Sequence, residues 1–395
     1  MIAEEVSVLP FDLPSGWTQT SVDEEFYLIL GKMLDAEKNT GVSRHYLGNK
    51  AVQWGHIAVE DLAEIKLTKS DLLRYRLVDG DLLVCEGGDI GRCAIWHSQL
   101  EECYFQKALH RVRTRGNFSI ILLRYLLEHY SKTGFLKNFA TQTSIAHLPK
   151  DKFQQVPLPS PPPAEQQAIA EALLDADGVV EGLERLIEKK QRIKQGAMQD
   201  LLTAKRRLPG FSGKWKKQAI GKITDVIMGQ SPSSASYNSA GTGLPLIQGA
   251  ADIRNRRVIQ RVFTSQITKL GLAGDIVMTV RAPVGEISET DFDVCLGRGV
   301  CALRNADRYV FHAMVFYETE WASLSKGSTF DSVNGKEVSE FEILYSDQSK
   351  EREAIYNLLD EMDAEITALE ARLQKARQIK EGMMQNLLTG RIRLV

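Results

Sequence analysis

The side chains best suited to ligand recognition in this sequence are basic residues that cluster in its second half. The segment Arg254-Asn255-Arg256-Arg257 carries three guanidinium groups, and Gln248 precedes it. Guanidinium and amide side chains form the hydrogen bonds by which proteins read base edges and hold phosphates. The segment therefore indicates a nucleic-acid contact, and a plain solvated loop explains the same charges equally well.

Comparable polar and basic residues occur in the first half. Arg111 and Arg113 alternate, so on a strand they share one face, which an ordinary exposed strand also explains. Two polar stretches, at 141–144 and 328–334, are interpreted either as recognition loops or as segments that cap helices. The remaining candidates for DNA contact are Arg44, Asn49, Lys50, Gln53, Arg92, Thr141 and Ser144 in the first half, with Arg281, Ser328 and Ser332 in the second.

Catalytic motifs are the second kind of chemistry to consider. The sequence contains no N-P-P-[FY] or D-P-P-Y methyltransferase motif, and no Gly-Lys pair is followed by Ser or Thr as a P-loop requires. Glu64-Ile65-Lys66 has a spacing that nucleases use, but the nearest acid, Asp61, lies only three residues away. An exposed helix is the favoured interpretation of that triplet. We expect no catalytic residues, metal or cofactor in this chain.

A long helical pattern that occurs twice dominates the sequence. Glu165–Leu208 aligns without a gap on Glu351–Leu394, and 18 of the 44 positions are identical. About 40 helical residues form a rod of roughly 60 Å. Apolar residues recur at spacings of four and three, as in a coiled-coil seam: Ile169, Leu173, Ala176, Val180, Leu183 and Ile187 in the first copy, and Ile355, Leu359, Met362, Ile366, Leu369 and Leu373 in the second.

Two helices with the same seam in one chain are expected to pack against each other, and their connections favour an antiparallel pair. A coiled coil between two chains is the alternative. Gly178, Gly182, Gly196 and Gly382 each cost an isolated helix about 1 kcal/mol. Close approach of the helices or a docked partner can offset that cost.

The segments outside the two helices are distantly alike as well. In each, a Gly-Asp turn (Gly80-Asp81 and Gly274-Asp275) leads into a short apolar run typical of a buried strand. We predict two α/β or α+β globular domains joined by two long antiparallel coiled-coil helices, with internal pseudo-two-fold symmetry. The predicted segments are a domain at 1–160, a helix at 161–208, a domain at 209–346 and a helix at 347–395, with a shorter helix in each domain at 120–130 and 310–320.

Bulk properties limit the class of protein. The net charge of −2 is unusually low for a self-sufficient DNA-binding domain. Any DNA role therefore needs local clusters of charge or a partner that supplies phosphate contacts. Five cysteines without C-x-x-C spacing indicate reduced thiols in a cytoplasmic protein. We expect no membrane segment, because no apolar run approaches the roughly 20 residues that span a bilayer.

Three motifs carry a resemblance to a known family across nearly the whole chain. They are Leu13-Pro14-Ser15-Gly16-Trp17, the proline-rich segment 157–162 followed by Glu165-Gln166, and the pattern Ile-Lys-x-Gly-x-Met-Gln-x-Leu-Leu-Thr that begins at Ile193 and at Ile379. Together they resemble the specificity subunit of type I restriction-modification systems. The second domain departs from the first motif, since Phe211–Lys214 separates Gly210 from Trp215. The second helix lacks the run Pro161-Pro162-Pro163 that precedes the first, and has Ser346-Asp347-Gln348 instead.

The resemblance implies that each domain is a target-recognition domain that reads one half of a bipartite site in double-stranded DNA. The helices would set the half-site spacing and dock two methylation subunits, which bind S-adenosylmethionine; restriction subunits that use ATP and Mg²⁺ would join them. We expect the methylation subunits to contact Met198, Leu201 and Leu202 in the first helix and Met384, Leu387 and Leu388 in the second. The alternative is an adaptor that binds proteins and no DNA.

Overall fold

The computed structural model describes residues 8–35, 37, 39–141, 146–325 and 332–394. The chain forms two compact units, and each unit combines one globular domain with parts of both long helices. Unit 1 comprises Met1–Leu183 and Arg372–Val395, and unit 2 comprises Glu184–Ala371. Each compact unit therefore contains residues that are distant in the sequence. The four consecutive segments defined above stay a prediction.

The first domain contains eleven strands within the described residues, and its main sheet has the order β2-β10-β7-β8. All neighbours in that sheet are antiparallel. A second sheet has the order β6-β3-β9 and includes one parallel pair, β3 with β9. The strands are β1 (Thr18–Ser21), β2 (Phe26–Leu30), β3 (Val42–Leu47), β4 (Val52–Gln53), β5 (His56–Ile57), β6 (Glu64–Leu67), β7 (Leu82–Cys85), β8 (Cys93–Ile95), β9 (Tyr104–Phe105), β10 (Leu109–Thr114) and β11 (Pro157–Ser160).

Among its described residues, the first domain also has four short α-helices: α1 (Val22–Glu25), α2 (Lys69–Tyr75), α3 (Ile120–Lys132) and α4 (Lys150–Gln154). The helix predicted near residues 120–130 is confirmed as α3. Its buried face packs on the main sheet in a core that also receives Ile169 and Leu173 from the following long helix, α5 (Pro163–Leu202). The helix predicted at Glu64-Ile65-Lys66 is wrong, since these residues form β6, where Ile65 is buried and its two neighbours are exposed.

The second domain repeats this plan with a larger main sheet. That sheet has the order β13-β23-β20-β21-β17-β16, beside a five-stranded sheet β14-β18-β15-β22-β19. The strands are β12 (Trp215–Ala219), β13 (Asp225–Met228), β14 (Tyr237–Asn238), β15 (Leu244–Ile247), β16 (Ile253–Arg254), β17 (Arg257–Val258), β18 (Phe263–Thr264), β19 (Leu270–Gly271), β20 (Ile276–Thr279), β21 (Ile287–Glu289), β22 (Val294–Leu296), β23 (Val300–Arg304) and β24 (Glu342–Ser346).

The helices of the second domain are α6 (Arg308–Phe316), α7 (Glu318–Ser325) and α8 (Gly335–Glu340), followed by the long helix α9 (Ser349–Leu387). The single helix predicted at 310–320 is interrupted at Tyr317, which caps α6. The strands predicted after the two Gly-Asp turns are confirmed as β7 and β20, and all their residues are buried. An apolar run is the pattern of a strand that lies between two neighbours and is covered on both faces.

In each unit the first strand of the domain pairs with the strand that leads into the following long helix. β1 pairs antiparallel with β11, and β12 pairs antiparallel with β24. In each domain, the first and the last strand therefore lie side by side, and a long helix begins after the last strand. Within the described residues, no helix is long and apolar enough to cross a membrane.

Parts of α5 and α9 lie side by side within each unit and run in opposite directions. In unit 2, Lys190 pairs with Glu365 at 2.6 Å, and Lys194, one turn further along α5, pairs with Asp363 at 2.5 Å. In unit 1, Asp177 pairs with Lys380 at 2.7 Å. Seven of the twelve predicted seam residues are buried: Ile169, Leu173, Ile187, Ile355, Leu359, Ile366 and Leu369. The other five are half-buried.

Candidate nucleic-acid interface

In each domain, a β-bridge joins two segments that are distant in the sequence. One segment precedes the last short helix, α4 or α8, and the other follows the buried central strand, β7 or β20. The bridge connects Gly87 with His147 in the first domain and Arg281 with Ser332 in the second. The two bridges follow β7 and β20, the strands that begin at the matched Gly-Asp turns. The fold thus brings the same two segments together in both domains, although their residue types differ.

Three of the predicted residues of the first domain meet at its bridge. The Asn49 side-chain amide donates to the Gly87 carbonyl at 2.9 Å, and Arg92 donates to the Asn49 carbonyl at 3.0 Å and to its Oδ1 at 3.2 Å. The Thr141 amide donates to the His147 carbonyl at 2.9 Å. Asn49 and Arg92 therefore position the backbone of this cluster. Ser144 lies outside the described residues.

Lys50 and Gln53 extend the first cluster, whereas Arg44 does not. Both side chains are exposed beside the β4–β5 hairpin, and the Gln53 side-chain amide donates to the Lys50 carbonyl at 2.8 Å. Lys50 forms no ion pair within the described part of the chain. Arg44 pairs with Glu102 at 2.7 Å. A guanidinium that already holds a carboxylate must give up that pair to bind a phosphate.

Arg111 and Arg113 share one face of β10 as predicted, but that face is used internally. Arg111 is 8% exposed and donates to the carbonyls of Arg74 and Arg76 at 3.1 and 2.9 Å. Burial lowers the pKa of Arg111 to about 10. Arg113 donates to the buried Asp81 carboxylate at 2.8 Å. The prediction that this face is open to DNA is therefore wrong.

The Arg113–Asp81 pair explains the Gly-Asp motif. Asp81 also accepts the Val78 amide at 2.8 Å, so its carboxylate closes the turn before β7. The second domain makes the same arrangement, in which Asp275 accepts the amide of Leu272 at 2.8 Å and the guanidinium of Arg304 at 2.9 Å. The motif is structural, because a buried carboxylate requires both a cation and hydrogen-bond donors.

The basic cluster of the second domain is mostly neutralised. Arg254 is exposed and forms no ion pair within the described residues, and Asn255 and Arg256 form the tight turn between β16 and β17 with positive φ angles of 49° and 62°. The remaining guanidinium groups of the cluster pair with acids: Arg256 with Glu318 at 2.8 Å and Arg257 with Asp291 at 2.8 Å. Arg261, four residues further along the chain, pairs with Asp252 at 3.4 Å. Only Arg254 of this cluster keeps its charge free for a ligand, within the described part of the chain.

The remaining candidates of the second domain lie at its bridge. Arg281 is exposed and bridges Ser332, and the amide of Val280, just before it, donates to the Gly299 carbonyl at 2.9 Å. Gln248 is exposed and lies beside the loop that contains Gly297 and Gly299. The amide of Gly297 donates to the carbonyl of Ile247, the residue before Gln248, at 2.7 Å. Gln248, Arg281 and Ser332 thus form the counterpart of the first cluster. Ser328 lies outside the described residues.

The six apolar residues predicted to bind a partner are buried in the domain cores. Met198, Leu201 and Leu202 are 7%, 7% and 1% exposed and pack among residues of unit 2. Met384, Leu387 and Leu388 are 2%, 4% and 1% exposed and pack among residues of unit 1. The end of each helix therefore completes a hydrophobic core. The prediction that these side chains form an exposed docking surface is wrong.

The isoleucine of the repeated motif remains exposed in both copies. Ile193 is 47% exposed and Ile379 is 51% exposed. Gly196 and Gly382 lie one turn further along on the same face. A methyl group added at either glycine meets no atom within 4 Å in the part of the chain that the structure describes. Neither the isoleucines nor the glycines are explained by packing within the described residues.

A histidine and two aspartates of unit 2 have the spacing of metal ligands but already hold other partners. Ligand atoms of His312, Asp360 and Asp363 all lie within 4.8 Å of one another. Arg308 pairs with Asp360 at 2.9 Å and Lys194 with Asp363 at 2.5 Å. Two cations occupy the space and the charge that a metal ion needs. The group is an ion-pair network.

Comparisons with known proteins agree with the repeated architecture. The family model described as type I restriction modification DNA specificity domain matches residues 49–195 and 212–380. A Methanocaldococcus jannaschii protein assigned as the specificity subunit of type I restriction enzyme MjaX is 29% identical over 361 residues, which cover 85% of this chain and 83% of that protein. The MjaVIII specificity subunit of the same organism is 22% identical over 67% of this chain and 68% of its own length.

A solved structure with a similar fold covers nearly all of this chain. The type I restriction-modification specificity (S) subunit from M. genitalium has a TM-score of 0.64 at 15% identity, and the match covers 95% of this chain and 98% of that one. A chain from structural work on the assembly and conformational transition of the type I R-M system has a TM-score of 0.65 at 22% identity, over 97% and 100%. These matches show the two-domain mixed α/β fold.

Proposed function

Since the chain belongs to the family of type I restriction-modification DNA specificity domains, we propose that its two domains each read one half of a bipartite DNA site. Family membership supports a role in DNA sequence specificity and gives no support to the adaptor alternative. The observation that carries the proposal is the bridged cluster, which recurs in both domains with different side chains around it. Equivalent positions with different residues are what two readers of unlike half-sites need.

In the first domain, Asn49, Lys50, Gln53, Arg92 and Thr141 supply the candidate contacts. In the second, Gln248, Arg254, Arg281 and Ser332 do so. Amide side chains suit base edges, and unpaired cations suit phosphates. The chain itself would catalyse nothing: S-adenosylmethionine would bind to methylation subunits, and ATP and Mg²⁺ to a restriction subunit.

The proposal is tested by mapping adenine methylation in the native host by long-read sequencing, with and without this chain. We expect one split motif to lose methylation when the gene is deleted. Exchange of the second domain for that of a relative should then change one half-site only. An unchanged methylation map in a host that expresses active methylation subunits would refute the proposed role.

The exposed isoleucines of the long helices are the candidate docking points for methylation subunits. The residues of the Ile-Lys-x-Gly motif have two different roles. Lys194 pairs with Asp363 of the other helix, while Ile193 and Gly196 face outward. A glycine in an exposed helix lowers stability by about 1 kcal/mol relative to alanine. Its presence on the same face as an exposed isoleucine in both helices is explained by a partner that approaches the helix backbone closely.

Substitution of these isoleucines tests the docking points. Since the two sites are equivalent by the sequence repeat, Ile193→Asp and Ile379→Asp should each remove one of two methylation subunits from the purified complex, and the double variant should remove both. Gln195→Asp adds the same charge to the other side of the α5 helix and should leave the stoichiometry unchanged. Full occupancy in the double variant, measured by native mass spectrometry, would rule out this surface.

The two long helices are also proposed to set the half-site spacing. Their antiparallel ion pairs within each unit and the repeat of 44 aligned positions support a pseudo-two-fold arrangement. Deletion of one heptad from both helices should change the number of unspecified bases between the half-sites and leave the half-site sequences intact. Altered half-site sequences would contradict a role as a spacer.

A further inference from the structure

The two domains carry one exposed cation each at the same point of a shared backbone framework. Lys107 follows β9 and Arg298 follows β22, the strands that pair in parallel with β3 and β15. Both side chains are exposed. In each domain the amide before the cation donates to the carbonyl at the end of the parallel partner strand: Gln106 to Leu47 at 3.1 Å, and Gly297 to Ile247 at 2.7 Å.

The same short loop is also held from its other side. The carbonyl after each cation accepts an amide from the segment that follows the buried central strand, so Ala108 accepts from Glu86 at 2.9 Å and Gly299 accepts from Val280 at 2.9 Å. These donors directly precede Gly87 and Arg281, the bridge residues described above. The two cations therefore adjoin the two candidate interfaces.

A third contact fixes the cation's own backbone. The Lys107 amide donates to the Lys32 carbonyl at 2.8 Å, and the Arg298 amide donates to the Ser231 hydroxyl at 3.2 Å. A neighbouring glycine makes this close packing possible: a Cβ at Gly31 would lie 2.4 Å from the Gln106 carbonyl oxygen, and one at Gly229 would lie 2.0 Å from that of Gly297. Only glycine permits such an approach.

The charges of these two residues are also free, unlike those of several other arginines in the two domains. Neither Lys107 nor Arg298 forms an ion pair with any residue that the structure describes, whereas Arg44, Arg113, Arg256, Arg257 and Arg304 all hold carboxylates. A free cation on a loop fixed from three sides loses little backbone entropy on binding an anion. Both domains have this feature, at Lys107 and at Arg298.

We propose that Lys107 and Arg298 are matching phosphate contacts, through which each domain grips the DNA backbone at its half-site. The inference rests on the proposed DNA-reading function and adds two positioning residues to it. Phosphate contacts fix the position of a protein on the duplex without reading sequence. That role explains why the framework is shared while one domain uses lysine and the other arginine.

The test uses the full chain assembled with its methylation subunits and a duplex that carries the methylated motif. Binding of this duplex is measured as a function of salt for wild type, Lys107→Ala, Arg298→Ala and the double variant. The slope of log K against log salt is negative, and each lost phosphate contact should reduce its magnitude by about 0.9. The affinity at 0.1 M salt should then fall about eightfold per residue. Lys66→Ala and Lys222→Ala remove exposed lysines elsewhere in the same domains and serve as controls.

Four outcomes distinguish the possibilities. Reduced slopes with an unchanged motif support the inference. Slopes equal to those of the controls, with specific binding by wild type, overturn the inference and leave the proposed function intact; a change of the preferred bases in either variant also overturns it, because that marks a base contact. Absence of motif-specific binding by the wild-type complex overturns the proposed function, and the inference falls with it.

Discussion

Asp177 and Asp363 occupy equivalent positions in the two long helices, yet the structure predicts very different costs for their removal. Asp177 accepts three hydrogen bonds in unit 1, from Arg124 at 2.9 Å, from the Tyr125 hydroxyl at 2.7 Å and from Lys380 at 2.7 Å. Its side chain is 16% exposed, and that of Arg124 is 12% exposed. The group is a largely buried charge network.

Asp177→Ala leaves the guanidinium of Arg124 and the hydroxyl of Tyr125 without their acceptor. Removal of one member of a buried ion pair costs about 3–5 kcal/mol, and we expect the lower end, about 3 kcal/mol, because the site is partly solvated and Lys380 keeps Glu128 at 3.4 Å. Asp363→Ala breaks a single pair with Lys194, and the Asp363 side chain is 40% exposed. Its cost should be about 0.5 kcal/mol.

The assay is hydrogen exchange read by mass spectrometry in increasing urea, which reports the stability of each unit separately. Asp177→Ala should raise exchange in peptides of α3, and Asp363→Ala should leave those of α6 nearly unchanged. Asp177→Asn retains an acceptor for the Tyr125 hydroxyl and should lie between wild type and Asp177→Ala. Equal losses for Asp177→Ala and Asp363→Ala would refute the reasoning, since the sequence repeat alone predicts equality.

The pH dependence of unit 1 gives a second readout of the same network. Burial raises the pKa of Asp177, but the hydrogen bonds from Lys380 and Tyr125 and the charge of Arg124 outweigh that effect, so the pKa lies below its ordinary value of 3.8. A lowered pKa means that the unfolded chain binds the proton more readily. The stabilisation is therefore complete above pH 3.8 and is lost as the pH falls further. Asp177→Ala should show a smaller loss of stability below that pH, measured by the same exchange experiment.

Four further substitutions separate structural roles from binding roles. Arg113→Ala deprives the buried Asp81 of its cation and should destabilise the first domain by about 2 kcal/mol in urea denaturation, with no change in the salt slope of DNA binding. Leu202→Ala creates a cavity in the core of unit 2 and should cost about 3 kcal/mol in the same assay, which a surface-docking role does not predict. Gly196→Ala and Gly382→Ala should each stabilise the isolated chain by up to 1 kcal/mol in thermal unfolding, and should weaken its complex with methylation subunits in a titration.

Elements whose residue pattern reports burial directly could be predicted from the amino-acid sequence. The spacing of Ile169, Leu173 and their repeats defines one helical face, and that face is buried. The apolar runs after Gly80-Asp81 and Gly274-Asp275 define strands covered on both sides. The motifs at the helix ends indicated the family because they recur at a fixed spacing in the sequence. Such patterns are local, so they survive without knowledge of the fold.

The candidate interface was predictable only in part. Asn49, Arg92 and Thr141, and likewise Gln248, Arg281 and Ser332, do come together around equivalent bridges. Residue type and approximate position within a domain were enough to select them. Lys107 and Arg298 belong to no recognisable motif, because a lone cation in a short loop has no distinguishing neighbours in sequence. Alignment of the two domains on their parallel strand pairs reveals both.

Tertiary structure alone decided which charges and apolar groups are available. Arg113 is neutralised by Asp81, 32 residues away, and Arg256 by Glu318, 62 residues away. No local pattern records pairings over such distances. The leucines at the end of each long helix could, from the sequence, belong either to a surface that binds a partner or to a hydrophobic core. Packing resolves it, because hydrophobic burial depends on which surfaces the chain brings together, and each helix end completes a domain core.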